Sequence, residues 1–141
     1  MGSDDVFERM TASGEHEYKA ALRVMSESVR LAELVAVLGE PTTAHDIGDV
    51  VGRLGGVRKH ASWALEAAVE RTVPLDEHVE FVVAFAEAKR DGLASLRARG
   101  CRADVFCGVF AEPDAQGGWV LGPLVLRRLG DLELPVVFDL Y

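Results

Sequence analysis

The sequence has too few basic residues for a protein that binds nucleic acid or anionic membranes. Its 15 Lys and Arg residues are outnumbered by 23 Asp and Glu residues, which gives a formal net charge of -8. A field of that sign repels phosphate backbones and anionic lipid headgroups. We therefore expect no nucleic-acid partner and no membrane partner.

Long hydrophobic runs and export signals are also missing. The most apolar stretch, residues 79–88, is interrupted by Glu80 and Glu87, whereas a membrane-spanning helix needs about 20 apolar residues. The first residues include Asp4 and Asp5, where a secretory signal has basic residues. These absences predict a cytoplasmic protein.

Cysteine is scarce, since Cys101 and Cys107 are the only two in the chain. Within one predicted strand their Cα atoms would lie roughly 20 Å apart, at about 3.3 Å per residue. A disulfide requires a Cα separation below about 7 Å. We therefore expect two reduced thiols, which suits a reducing compartment.

The composition that remains is that of one globular domain. The chain has 141 residues, of which 49% are hydrophobic and 27% are charged, and this length suits a single core. Residues 1–16 mix charged, glycine and hydroxyl residues without hydrophobic periodicity, which predicts a flexible N-terminal arm. Residues 17–141 are expected to form a single domain.

Hydrophobic periodicity predicts a series of strands and helices along that domain. Alternating or continuous apolar residues indicate strands over 18–25, 42–47, 63–69, 103–110 and 135–141. Apolar positions spaced by three and four residues indicate helices over 31–38, over 74–100 and from 123 onwards. Ser28 is the predicted N-cap of the first helix, and Gly92 is the place where the second is expected to bend or split.

The resulting order is β-α-β-β-α-β-α-β, which predicts the fold class α+β. Its first six elements are those of a ferredoxin-like unit. We expect a sheet of about five mainly antiparallel strands with helices packed on one face. In the last strand Val136, Phe138 and Leu140 share one face, which we expect to be buried.

Five short segments of the domain match a family pattern. They are Leu38-Gly39-Glu40-Pro41, Gly48-Asp49, Trp63, Pro74-Leu75-Asp76-Glu77-His78 and Phe138-Asp139-Leu140-Tyr141. On these residues the chain resembles the bacterial domain-of-unknown-function family numbered 4279, over residues 18–141. That family carries no established activity, so the resemblance implies an architecture and no catalytic residues.

His45 and Asp46 form a pair that some metal-dependent phosphohydrolases use to bind an ion. Such a site needs further ligands, and the only upstream histidine is His16 in the predicted arm. A solvated pair is therefore the favoured interpretation.

Two other polar groups have structural explanations. Glu77, His78 and Glu80 stand in the first turn of a predicted helix, where acidic side chains stabilise the helix dipole. Cys107 shares a strand face with valines, which is typical of an inert buried thiol. The catalytic residues are therefore unknown, and neither a metal site nor another cofactor is predicted.

The glycine-rich basic loop 52–60 is the strongest binding candidate. Arg53, Arg58 and Lys59 concentrate positive charge there, His60 ends the loop, and glycines stand at 52, 55 and 56. Glycine backbone N–H groups are accessible to an anion, which the cations would attract. The segment lacks the Lys-Ser/Thr ending of a phosphate-binding loop, and a mobile hairpin loop without a ligand is the simpler interpretation.

Two tryptophans complete the candidate binding residues. Trp63 follows the loop and is either a core anchor or an aromatic platform at the base of the loop. Trp119 follows the predicted turn 112–118 and is either an exposed contact residue or a lid on the edge of the core. The speculative ligand or partner site thus consists of Arg53, Arg58, Lys59, His60, Trp63 and Trp119.

Two functions remain open. The first is a non-catalytic binding or protein-interaction module, which would neutralise a basic partner such as a toxin or regulate an enzyme. It is favoured because no acid–base pair, nucleophile–base pair or metal set stands out. The second is a small-molecule anion-binding protein, or an enzyme, that uses loop 52–60. We therefore expect another protein as the partner and keep a small anion as the alternative.

Overall fold

The computed structural model describes residues 16–111 and 118–141 as a mixed α/β structure. Their strands are β1 (His16–Ser26), β2 (Thr43–His45), β3 (Val50–Val51), β4 (Gly56–Val57), β5 (Ala61–Glu66), β6 (Arg102–Ala111) and β7 (Val136–Leu140). Their helices are α1 (Leu31–Leu38), α2 (Leu75–Ala88), α3 (Arg90–Ala98) and α4 (Pro123–Asp131). The predicted arm lies outside the described residues except for His16, which begins β1, and the predicted turn 112–118 lies outside them except for Gly118.

The main sheet has five strands in the order β2-β5-β1-β6-β7. The pairs β2–β5, β5–β1 and β1–β6 are antiparallel, and only β6–β7 is parallel. The predicted α+β fold with a five-stranded, mainly antiparallel sheet is therefore confirmed, while a relation to ferredoxin-like proteins stays a prediction. Strands β3 and β4 form a separate two-stranded hairpin within the segment that was predicted as a hairpin loop without regular strands.

The hydrophobic core lies between one face of the sheet and the helices. Tyr18, Leu22, Val24 and Trp63 point into it from β1 and β5, and each is at most 1% exposed. Helix α2 packs on β1 and β6, and α1 packs on β5. Alternation in the strands and three- to four-residue spacing in the helices thus place their apolar residues in one cluster.

The predicted helix 74–100 is two helices, and the break is not at Gly92. Helix α2 ends at Ala88, and α3 begins at Arg90. Gly92 lies inside α3, where an added Cβ would stand 2.6 Å from Cγ1 of Val37 on α1. The glycine therefore allows α1 and α3 to approach each other closely.

The predicted N-cap Ser28 is wrong. The N-cap position of α1 is Arg30, whose side chain makes no capping hydrogen bond. Ser26 has a turn role instead, because its Oγ accepts the backbone N–H groups of Ser28 at 3.2 Å and Val29 at 2.8 Å.

The expected burial of the last strand is also wrong for two of its three apolar residues. Phe138 is 44% exposed and Leu140 is 64% exposed, whereas Val136 is partly buried against the core. Strand β7 pairs with β6 on one side and with no other described strand on the other. Its side chains therefore lack the neighbours that would cover them.

Candidate functional site

The predicted basic loop is a projecting β-hairpin. Val50 pairs with Val57, and Val51 pairs with Gly56. At the root, the Gly48 N–H donates to the Arg58 carbonyl oxygen, and the Arg58 N–H donates to the Asp49 carbonyl oxygen, both at 2.8 Å. Gly52 and Gly55 have φ angles of 68° and 72°, in the left-handed region that glycine adopts without strain. The glycines of this segment therefore close a tight turn between two short strands.

The root of the hairpin is fixed to the start of α1 through Asp46. Its carboxylate accepts the Leu31 N–H at 3.0 Å, the Ile47 N–H at 2.8 Å and a guanidinium N–H of Arg30 at 3.1 Å. The hydrogen bond from Leu31 is the largest of the effects that lower the pKa of Asp46. Asp46 therefore has a role that the interpretation of His45-Asp46 as a solvated pair did not include, because its partly exposed carboxylate caps a helix.

The hairpin itself contributes nothing to the core, because every residue from 48 to 60 is exposed. The exposed fractions of its large apolar residues are 39% for Val51, 56% for Val57, 71% for Val50 and 101% for Leu54. Valine and leucine prefer burial, so exposed ones are candidates for contact with a partner. We call Val50, Val51, Leu54 and Val57 the hairpin apolar residues.

The three predicted cations stand among the hairpin apolar residues. Arg53 lies in the turn, Arg58 at the root and Lys59 just beyond it, and all three are exposed. None of them forms an ion pair with a side chain in the part of the chain that the structure describes. Their charges are spread along the hairpin and are free to meet an acidic surface.

His60 lies beside the hairpin root and next to His45. The two imidazole ring centroids are 6.0 Å apart. Burial lowers the pKa of His45, and the nearby Arg58 and His60 lower it further, while Asp49 opposes them. A neutral His45 at physiological pH follows from these effects, but the described residues place no third ligand-type side chain with this pair to hold a metal ion.

His60 also lines a shallow cleft of about 350 Å³ at the end of β1. Arg102, Ser28 and Glu27 line it as well. A second cleft of about 380 Å³ adjoins it through the shared residues Met25 and Arg102. Neither of these two clefts is lined by Arg53, Arg58 or Lys59, so the loop cations and the clefts are separate features.

Trp63 does not belong to the accessible surface. It is 0% exposed, its indole N–H donates to the Gly39 carbonyl oxygen at 2.8 Å, and its ring stacks on Phe85 with centroids 5.9 Å apart. The core interpretation of Trp63 is therefore correct, and its place among the binding candidates is withdrawn.

Trp119 lies on the other side of the molecule from the hairpin. It is half-buried against the core, and its ring centroid is 6.1 Å from that of Phe138 on β7. Strand β7 is one edge of the sheet, whereas the hairpin joins β2 and β5 at the opposite edge. The structure therefore places Arg53, Arg58, Lys59 and His60 on one exposed segment, residues 48–60, and leaves both tryptophans outside it.

The other polar groups with a catalytic interpretation are buried or held in ion pairs. His78 is 2% exposed, and burial lowers its pKa. Glu80 and Glu87 of α2 pair with Arg128 of α4 and link the two helices. Burial raises the pKa of Cys107 to about 12, which keeps the sulfur as an unreactive thiol at neutral pH.

Sequence reasoning selected the cations of the hairpin and missed its apolar residues. The signal was present, because Val50, Val51, Leu54 and Val57 stand among glycines in a segment that was already assigned to the surface. Apolar residues in a surface loop have no core to join, so they are expected to remain exposed.

In the part of the chain that the structure describes, no helix has both the length and the apolar character required to cross a bilayer.

No curated protein and no solved structure matches the sequence. The sequence pattern of one family, the domain of unknown function DUF4279, matches residues 16–141, which is nearly the whole chain. The chain therefore belongs to the DUF4279 family.

Proposed function

We propose that this domain is a non-catalytic protein-interaction module whose contact element is the β3–β4 hairpin. The observation that carries this proposal is the exposure of all residues from 48 to 60, with the hairpin apolar residues uncovered among three unpaired cations. Such a hairpin is complementary to a partner surface with an apolar groove for the valine and leucine side chains and carboxylates at its border for the cations.

The apolar residues supply enough free energy for specific binding. Complete burial of one Val or Leu side chain contributes about 1.5 to 3 kcal/mol. A few such side chains offset the loss of translational and rotational freedom on association, and the cations add charge complementarity and orientation. The rigid attachment of Asp46 to α1 reduces the entropy lost on binding, because the root is already ordered.

The charge of the hairpin favours an acidic partner over the basic partner that the net charge of -8 suggested. The partner is proposed to be a protein and not a bilayer, because the rest of the acidic chain would be repelled by an anionic membrane. The two buried, unpaired cysteines support a reducing compartment and hence the cytoplasm as the place of this interaction.

The test compares capture of a partner from native lysate by four forms of the full chain. They are the wild type, V50T/L54S/V57T, R53A/R58A/K59A and the matched control R90A/R99A/R127A, which removes three exposed arginines elsewhere. One protein in stoichiometric amount with the wild type and the control, and at least tenfold less with either hairpin variant at equal melting temperature, is the expected result. A photo-crosslinker at position 54 should then attach to an apolar groove with acidic residues at its border.

Retention of the same proteins by all four forms, or of none by the wild type, would refute the proposal. A vesicle-flotation assay covers the membrane alternative. Hairpin-dependent flotation with phosphatidylglycerol vesicles would replace the protein partner by a lipid surface.

A small-anion function is the second candidate, and the cleft beside His60 is its place. Arg102, His60 and Ser28 offer it positive charge and hydrogen-bond donors. Phosphate, pyrophosphate and citrate should then raise the melting temperature saturably, and R102A should abolish the rise while R53A/R58A/K59A should not. An equal rise in the wild type and R102A would reject this cleft.

A further inference from the structure

The two edges of the main sheet differ in how well they are protected against pairing with another strand. Strand β2 has only three residues, whereas β7 has five, Val136–Leu140, without lysine or proline. Natural proteins shorten or charge exposed edges, because unpaired backbone groups attract other strands. Among the described strands, β7 is therefore the edge that is open for pairing.

Exposed apolar side chains also lie at this edge. Of the eleven large hydrophobic residues exposed in the described chain, four lie on β7 or directly after it, and four are the hairpin apolar residues. The four at this edge are Val137 (39%), Phe138 (44%), Leu140 (64%) and Tyr141 (61%). An interaction that extends the sheet at β7 would cover apolar surface as well as pair the backbone.

The direction of each backbone group on β7 follows from its parallel pairing with β6. The Val105 N–H donates to the Pro135 carbonyl oxygen, and the Tyr141 N–H donates to the Val109 carbonyl oxygen, both at 2.9 Å. Because hydrogen bonding alternates along a strand, residues 135, 137, 139 and 141 use their backbone groups toward β6. The N–H and C=O groups of Val136, Phe138 and Leu140 therefore point away from the sheet.

We propose that β7 pairs antiparallel with β7 of a second copy of this chain, about a two-fold axis at Phe138. In that register Phe138 faces Phe138 of the second copy, and Val136 faces Leu140 of the second copy. All outward N–H and C=O groups of these residues then find partners, and the two sheets become one continuous sheet. A register shifted by one residue would place outward groups opposite groups that are already bonded to β6.

Charge supports the second copy as the occupant. Asp139 is the only charged residue of β7, and in this register it faces Val137 of the second copy instead of its own equivalent. The strand is thus self-complementary without like charges directly opposite, which would destabilise the pair. This surface lies at the sheet edge opposite the hairpin, so the dimer and the proposed function are independent.

The test measures the mass of the full chain in solution by sedimentation velocity and light scattering. At tens of micromolar and physiological ionic strength, the wild type should be a dimer. L140P should be a monomer with an unchanged far-ultraviolet circular dichroism spectrum, because proline removes only a donor that points away from β6.

Position 137 tests the register. V137D places like charges opposite Asp139 and should weaken dimerisation by about 2- to 30-fold, whereas V137K should strengthen it by a similar factor. V137D/D139K should restore the affinity, because unlike charges then face each other. A monomeric wild type or a dimeric L140P would overturn the proposal. So would a change of the dimer dissociation constant in the same direction for V137D and V137K.

Discussion

The Asp46 carboxylate accepts a hydrogen bond from the Leu31 backbone N–H at 3.0 Å, although the two residues are 15 positions apart in the chain. Helix α1 begins at Leu31 and has no capping side chain of its own. A residue at the hairpin root thus satisfies one of the free N–H groups at the helix N-terminus. The start of α1 and the orientation of the hairpin root are therefore coupled.

Replacing Asp46 with Ala should lower the melting temperature, because it removes this acceptor and the partner of Arg30. Asn at position 46 should lower it less, since an amide oxygen still accepts the Leu31 N–H. Thermal unfolding of the three proteins at pH 7 measures both effects. Equal melting temperatures for D46A and the wild type would contradict the capping role.

The lowered pKa of Asp46 also predicts a dependence on pH. A carboxyl whose folded-state pKa is depressed stabilises the fold fully above its ordinary pKa of 3.8, and this stabilisation is lost as the pH falls through the lowered value. The difference in stability between the wild type and D46N should therefore shrink on acidification. Chemical unfolding at several pH values provides the measurement.

Gly92 should not tolerate a side chain. G92A places a methyl group 2.6 Å from Cγ1 of Val37, and such overpacking costs about 1 to 3 kcal/mol. Alanine also favours a helix over glycine by about 1 kcal/mol, so we expect a net loss of up to about 2 kcal/mol. Urea unfolding of G92A, V37A and G92A/V37A measures it, and the double variant should recover stability relative to G92A. Additive losses in the double variant would show that the two positions do not conflict.

His78 should make the stability depend on pH below neutrality. Burial depresses its pKa, while the backbones of Val73 and Glu70 and, more weakly, the charges of Glu77 and Glu66 oppose this effect. Above the ordinary pKa of 6.5 both the folded and the unfolded state are neutral at this position. As the pH falls below it, only the unfolded state binds the proton, and stability decreases by at most about 1.4 kcal/mol per pH unit until the lowered pKa is reached. H78L should remove this contribution to the pH dependence of stability. Unfolding curves of both proteins at pH 7 and pH 5 measure it. The same loss of stability between the two pH values in H78L and in the wild type would contradict a neutral buried imidazole.

Cys107 should resist thiol reagents in the folded protein. Its side chain is 0% exposed, and burial raises its pKa to about 12. Ellman's reagent at pH 8 should react with it only after denaturation, and reductant should leave the melting curve unchanged. The variant C101S isolates the signal of Cys107, and rapid labelling of native C101S would show that the thiol is accessible.

The elements of the sheet and the helices were predictable where side-chain periodicity reflects burial on one face. Helix α1 contains the predicted apolar positions from Leu31 to Leu38 and ends before Gly39 as expected, and the strand around Cys107 occupies an interior position as expected. In both cases the apolar residues of one face pack into one core, so local sequence carries the information.

The remaining features depend on neighbours that are distant in the sequence. Strands β3 and β4 have two residues each, which is too short for a period to be recognised. The exposure of Phe138 follows from the edge position of its strand, and the role of Asp46 follows from a contact with α1. The basic residues of the hairpin made it a binding candidate from sequence alone, whereas the choice between a buried and an accessible Trp63 required the assembled core.

The hairpin can change in sequence without affecting the core. Its residues from 48 to 60 are all exposed, and its root is fixed by the Asp46 carboxylate and by two backbone hydrogen bonds between residues 48–49 and 58. The residues of the turn can therefore be replaced at little cost in folding free energy. Grafting a different turn between positions 50 and 57 would change the proposed contact surface while the sheet and its helices stay the same.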